Sequence, residues 1–98
     1  MTDSEPTLAD VRRAIDEIDT EIVSLLARRE VQVRRAATLK TDEDGVRAPA
    51  RVEQVVAKVR ALAAESGASP EVVERVYRAM IGAFIDLELA EHRGTTGG

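Results

Sequence analysis

No cysteine and no tryptophan occur among the 98 residues, and phenylalanine and tyrosine occur once each. Without cysteine there is neither a disulfide framework nor a thiol nucleophile, which fits a reducing compartment, and a cytoplasmic address is expected. So few aromatics leave a core of Val, Ala, Leu and Ile with little bulk per residue. A domain of this size is marginally stable alone, and packing against a second copy is the simplest remedy. Cationic surplus is missing too: the net charge is −4 and the pI about 5.0, which disfavours a nucleic acid or an anionic membrane as partner. No apolar run approaches the roughly 20 residues of a membrane span. The first residues lack the basic start and apolar centre of a secretory leader, so none is expected. Glycine and proline are themselves absent from Thr7 to Lys40.

That uninterrupted stretch predicts one long helix, about 50 Å at 1.5 Å per residue. Thr7 suits the N-cap, and Asp10 three residues later gives a variant of the capping box. Leu8, Val11, Ile15, Ile18, Ile22 and Leu25 recur at alternating steps of three and four. The same count then lands on Arg29 and Gln32, where a seam built only for packing would carry apolar residues.

Thr41 to Ala48 is acidic, contains Gly45 and reads as a connection. Pro49 suits the first turn of a second helix, whose stripe is Val52, Val55, Val56, Val59, Leu62 and Ala63. Gly67 reads as its stop, and Ser69-Pro70-Glu71 as the start of a third helix. That helix presents Val73, Val76, Tyr77, Met80, Ile81, Phe84 and Leu87 inward, and Gly94 is expected to end it. The reading is a single all-α domain over residues 1–98, three helices with one long and two shorter, and flexible tails at 1–6 and 94–98.

Charged residues fall on these inner faces. Continued to Lys40, the first helix places Lys40 and Arg29 on one side, about 16 Å apart along the axis. Arg51 lies 4, 8 and 11 residues before Val55, Val59 and Leu62, and Glu88 lies 4, 7 and 11 residues after Phe84, Ile81 and Tyr77. Buried charges are costly unless paired, and one carboxylate does not neutralise three cations. A small dianionic ligand would restore the balance. The competing reading is structural: Arg29 snorkelling from the seam, Lys40 stabilised by a helix C-terminus. Arg28, Arg34 and Arg35 read as solvated-face charges, His92 as a surface residue near a helix end, and Asp16 and Asp19 as outer-face or helix-pairing charges.

LADVRRAIDEIDTEIVSLLARRE, Lys40 beyond it, VRAPARVEQVV and the Glu88 region together resemble the all-α, type II chorismate mutases over roughly residues 8–93. The resemblance implies an intertwined homodimeric helical bundle in the cytoplasm, an isomerase of aromatic amino acid biosynthesis (the shikimate pathway), no cofactor and no metal. By position it implies that Arg12 and Arg29 bind two substrate carboxylates, with Arg12 supplied by the other subunit. Lys40 would contact the ether oxygen and a carboxylate, Arg51 would join the anion site, and Glu88 would be the second donor to the ether oxygen. Arg12 and Lys40 are 28 residues apart in sequence, about 42 Å on one helix, too far to reach one small molecule together. An antiparallel pair of long helices centred near residue 23 or 24 would place Arg12 opposite about residue 35, giving two equivalent shared sites.

The implied reaction is the [3,3] rearrangement of chorismate to prephenate, in which bound groups hold the folded conformer and stabilise charge on the departing ether oxygen. Two departures bear on the substrate. Many members carry Asp-x-x-Arg-Glu where this chain has Ala48-Pro49-Ala50-Arg51-Val52, and many carry Gln where Glu88 stands. The A-P-x-R-V variant is similar to isochorismate-pyruvate lyases and to mutases of 4-amino-4-deoxychorismate, which remain alternatives. A helical dimerisation or regulatory module without chemistry is the non-enzyme alternative.

Overall fold

A computed structural model describes residues 5–97 as α-helices joined by short turns. The order is α1 (Leu8–Ala37), α2 (Glu43–Arg47), α3 (Pro49–Ser66) and α4 (Pro70–Gly97). Among the described residues there is no strand, and no helix is long and apolar enough to cross a membrane. The all-α expectation holds, with two corrections. A one-turn helix, α2, stands where a plain connection was expected, and α4, at 28 residues, nearly matches the 30 of α1. Gly94 does not end α4, because one glycine in a final turn costs only about 1 kcal/mol against continued backbone hydrogen bonding. Of the tails expected to be flexible, residues 1–4 and 98 lie outside the described residues.

The chain forms two compact units, residues 1–32 and 33–98. The first is the greater part of α1. Its start is closed by a reciprocal cap: the Asp10 amide donates to Thr7 Oγ1 at 3.1 Å, and the Thr7 amide donates to Asp10 Oδ2 at 2.9 Å. These bonds favour the carboxylate and hold Asp10 below its usual range. No residue of α1 is buried in the isolated chain, and the seam from Leu8 to Leu25 is 44–63% exposed at every one of its six positions.

α1 ends at Ala37, three residues earlier than its composition suggests. Thr38 Oγ1 donates back to the Arg35 carbonyl at 2.7 Å, and the Leu39 and Lys40 amides donate to Ala36 and Ala37 at 3.0 and 3.3 Å. These three-residue bonds tighten the chain out of α-geometry. Lys40 therefore stands in the turn beyond the helix, and the shared face with Arg29 inferred from periodicity does not apply.

In the second unit, α3 packs along α4 and α2 packs on α4. The core is Val46 of α2, Val56, Val59 and Ala63 of α3, and Ile81 and Leu89 of α4. The signals at the α3–α4 junction behave as expected. Gly67 takes a left-handed conformation (φ 78°), and Ala68 donates to the Ala63 carbonyl at 2.8 Å. Ser69 Oγ then accepts from the Val72 amide at 3.3 Å to open α4 behind Pro70. On the outside, Arg78 forks onto both oxygens of Glu53 at 2.9 Å and also reaches Glu74 at 2.7 Å, which accepts from Arg60 at 2.7 Å. Together they clamp α3 to α4.

Candidate active site

Glu88 is the one charged residue buried among the described residues, 6% exposed. It sits at the middle of α4's inner face because Ile81 precedes it by seven residues, two full turns. An ionised carboxylate at such a place needs a partner, and Lys40 provides it: Nζ donates to Glu88 Oε2 at 2.7 Å. Lys40 is itself about a quarter exposed, so its ammonium stands between the packed interior and solvent. A compact cation and a carboxyl group thus meet at one point, reached from two segments 48 residues apart.

The turn carrying Lys40 is fixed by α2. Asp42 caps that helix by accepting from the Gly45 amide at 2.8 Å, and Val46, 2% exposed, plugs it into the core. Arg93 of α4 forks onto Glu43, Nε to Oε2 at 3.1 Å and Nη2 to Oε1 at 3.3 Å. The pairing holds Glu43 below the usual carboxylate range, chiefly through these hydrogen bonds, and raises Arg93. Arg34, expected to be solvated only, pairs with Glu91. Three ion pairs, Arg34–Glu91, Lys40–Glu88 and Glu43–Arg93, therefore join residues 34–43 to the last part of α4.

Arg51, in the same unit, is not gathered at this point. Arg51 is exposed, and its Nη1 donates to Gln54 Oε1 at 3.2 Å. Counted from Val56, Val59 and Ala63, Arg51 is turned about 110° from the buried line of α3. The stripe read from sequence was centred too far toward Leu62, which is 48% exposed. Arg12 is exposed and Arg29 half-buried, both on the stretch of α1 in the first unit. The expected surplus of inward cations is thus corrected: Lys40 is locally neutralised by Glu88, and Arg51 does not point inward. His92 is half-buried rather than a surface residue. Sequence reasoning missed Glu43 and Arg93 altogether. They are 50 residues apart, and neither breaks an apolar pattern.

The pattern of residues and this geometry agree with what comparison with known proteins finds. The family model for type II chorismate mutase matches residues 11–89. The chain is also 36% identical over 90 residues to the isochorismate pyruvate lyase of Pseudomonas aeruginosa, spanning 92% of this chain and 89% of that protein. The match takes in the α1 seam from Val11 on, the Lys40 turn, α2, α3 and Glu88 of α4, so the chain belongs to the type II chorismate mutase family.

Proposed function

We propose that the protein is an isomerase that rearranges chorismate to prephenate, and that it does so as a homodimer with shared sites. The observation that carries this reading is the Lys40–Glu88 pair: a buried carboxyl group and an ammonium 2.7 Å apart at the edge of the packed core. In a [3,3] rearrangement the ether C–O bond breaks as a new C–C bond forms, with no proton, electron or leaving group exchanged. The protein has only to hold the dianion folded and to stabilise negative charge growing on the ether oxygen. Lys40 suits that oxygen as a compact point charge, and Glu88 suits it as a second donor when it carries a proton. Arg29 and the second copy's Arg12 would grip the carboxylates, since a guanidinium matches a carboxylate bidentately. Arg51 would extend the anion site once its bond to Gln54 is exchanged. The exposed seam of α1 supports the second copy as its cover.

A second reading is favoured by two observations. Ala48 and Val52 stand where many members of the family carry acidic residues, and a 36% identical relative is an isochorismate pyruvate lyase. The same Lys40–Glu88 pair would then serve C–O cleavage with hydrogen transfer, releasing pyruvate and leaving salicylate. A mutase of 4-amino-4-deoxychorismate fits the missing acids equally. Purified protein incubated separately with chorismate, isochorismate and 4-amino-4-deoxychorismate separates these readings, with products resolved by chromatography and mass. Prephenate from chorismate supports the first reading; salicylate with pyruvate from isochorismate replaces it with the second. Inertness toward all three in an assembled dimer would leave a dimerisation or regulatory module.

A further inference from the structure

We propose that Arg93 is a positioning residue for Lys40, acting through Glu43 and the one-turn helix α2. The inference rests on the reading of Lys40 as a substrate-binding residue. Lys40 lies in the non-helical stretch between α1 and α2, where its own amide makes a single 3.3 Å bond to the Ala37 carbonyl. Its placement is therefore set by α2, the next element along the chain. α2 is anchored in depth by Val46, but a helix of five residues held at one buried side chain remains free to pivot about it. The fork from Arg93 to Glu43, at 3.1 and 3.3 Å, is a second anchor at the opposite end of that turn.

The coupling from α2 to Lys40 is steric as well as covalent. A β-carbon placed on Gly45 would lie 3.7 and 3.8 Å from Cβ and Cγ of Lys40, so the α2 backbone runs directly beside the lysine stem. Rotation of α2 carries that stem, and the ammonium at its end, away from Glu88. The order of charges also fixes register. Lys40 faces Glu88 and Glu43 faces Arg93, so sliding the segment along α4 would set like charges against each other.

An exposed ion pair adds little to global stability, whereas a displacement of about 1 Å at a catalytic group can cost on the order of 100-fold in rate. Arg93→Ala and Glu43→Ala are therefore expected to lower kcat by roughly 5- to 20-fold, with KM changed by less than about 2-fold and the melting temperature nearly constant. The charge-exchanged double variant, Glu43→Arg with Arg93→Glu, is expected to recover most of the lost kcat. Turnover is read on whichever of the three candidate substrates the parent protein consumes, with Lys40→Ala alongside. Unchanged kcat in both single variants, a loss that tracks the melting temperature, or a loss that the exchange leaves unrepaired overturns the inference. If Lys40→Ala is inactive while Arg93→Ala is not, this inference alone falls. If Lys40→Ala keeps its turnover, the reading of the site falls and takes the inference with it.

Discussion

A carboxyl group donates to an ether oxygen only while it holds its proton, yet in the isolated chain Glu88 accepts from Lys40. Glu88→Gln keeps a donor at that place and should retain turnover, whereas Glu88→Leu offers none and should lose it; equal turnover in the two variants would reject the donor role. Glu88→Ala leaves the ammonium of Lys40 beside the core without its carboxylate, and should cost about 1–3 kcal/mol in urea unfolding, moderated by Lys40's access to water. Arg29→Ala should cost about 2–4 kcal/mol of transition-state binding, read as a fall in kcat/KM, while assembly measured by light scattering is retained. Undiminished kcat/KM would make Arg29 structural. Glu88 was legible in the sequence because helical spacing put a carboxylate in the middle of an apolar face, a costly place for it. Its partner was not: Lys40 was assigned to a helix that stops at Ala37, and pairing across 48 residues leaves no periodic trace.

Helix starts were the most readable features, since each has a local chemical cause, whereas the C-terminal ends of α1 and α4 were both misplaced. The Thr7–Asp10 box, Pro49, Gly67 and Ser69-Pro70 all stand where sequence placed them. α2 escaped because five residues are too few to show a period, and its Gly45 reads as a turn. Its exit is unusual: Ala48, between α2 and Pro49, adopts a left-handed conformation at φ 35°. A β-carbon is unfavourable there, so Ala48→Gly should stabilise the fold by about 0.5–1 kcal/mol. The reverse change at the other left-handed position, Gly67→Ala, should destabilise it by about 1 kcal/mol. Equal and unchanged denaturation midpoints in both variants would show that neither backbone conformation is held in solution. The α3–α4 clamp makes a further prediction. Arg78 holds Glu53 and Glu74 below their ordinary value of 4.5, mainly through its hydrogen bonds. A lowered carboxyl contributes stability that is complete above that value and is lost as pH falls through the lowered one. Melting temperature should therefore fall less steeply below about pH 4.5 in Arg78→Leu than in the parent. Parallel curves would mean that the clamp contributes nothing.

For the whole molecule, the decisive feature is the seam of α1. A Val, Leu or Ile side chain gains about 1.5–3 kcal/mol when fully removed from water, and six such positions are left about half exposed in the isolated chain. A core without bulky aromatics has little reserve against that deficit. A second copy laid along α1, as proposed, would cover the seam with its own, and symmetry would make the contact self-complementary. Folding and assembly would then be one equilibrium, and the melting temperature should rise with protein concentration, as it does for any state stabilised by association. Ile18→Glu, at the middle of the seam, puts two carboxylates into the proposed interface of each dimer, one per chain. It should yield a monomer by light scattering at micromolar concentration and abolish turnover, although Lys40 and Glu88 lie outside the altered face. The exposed control Glu17→Gln, about 130° around α1 from the seam, should change neither. If Ile18→Glu remains dimeric and active, the seam of α1 is not the interface and the site proposed across it falls. If it becomes a folded monomer that retains its turnover, assembly is real but each chain completes its own site, and Arg12 of a second copy has no part in binding.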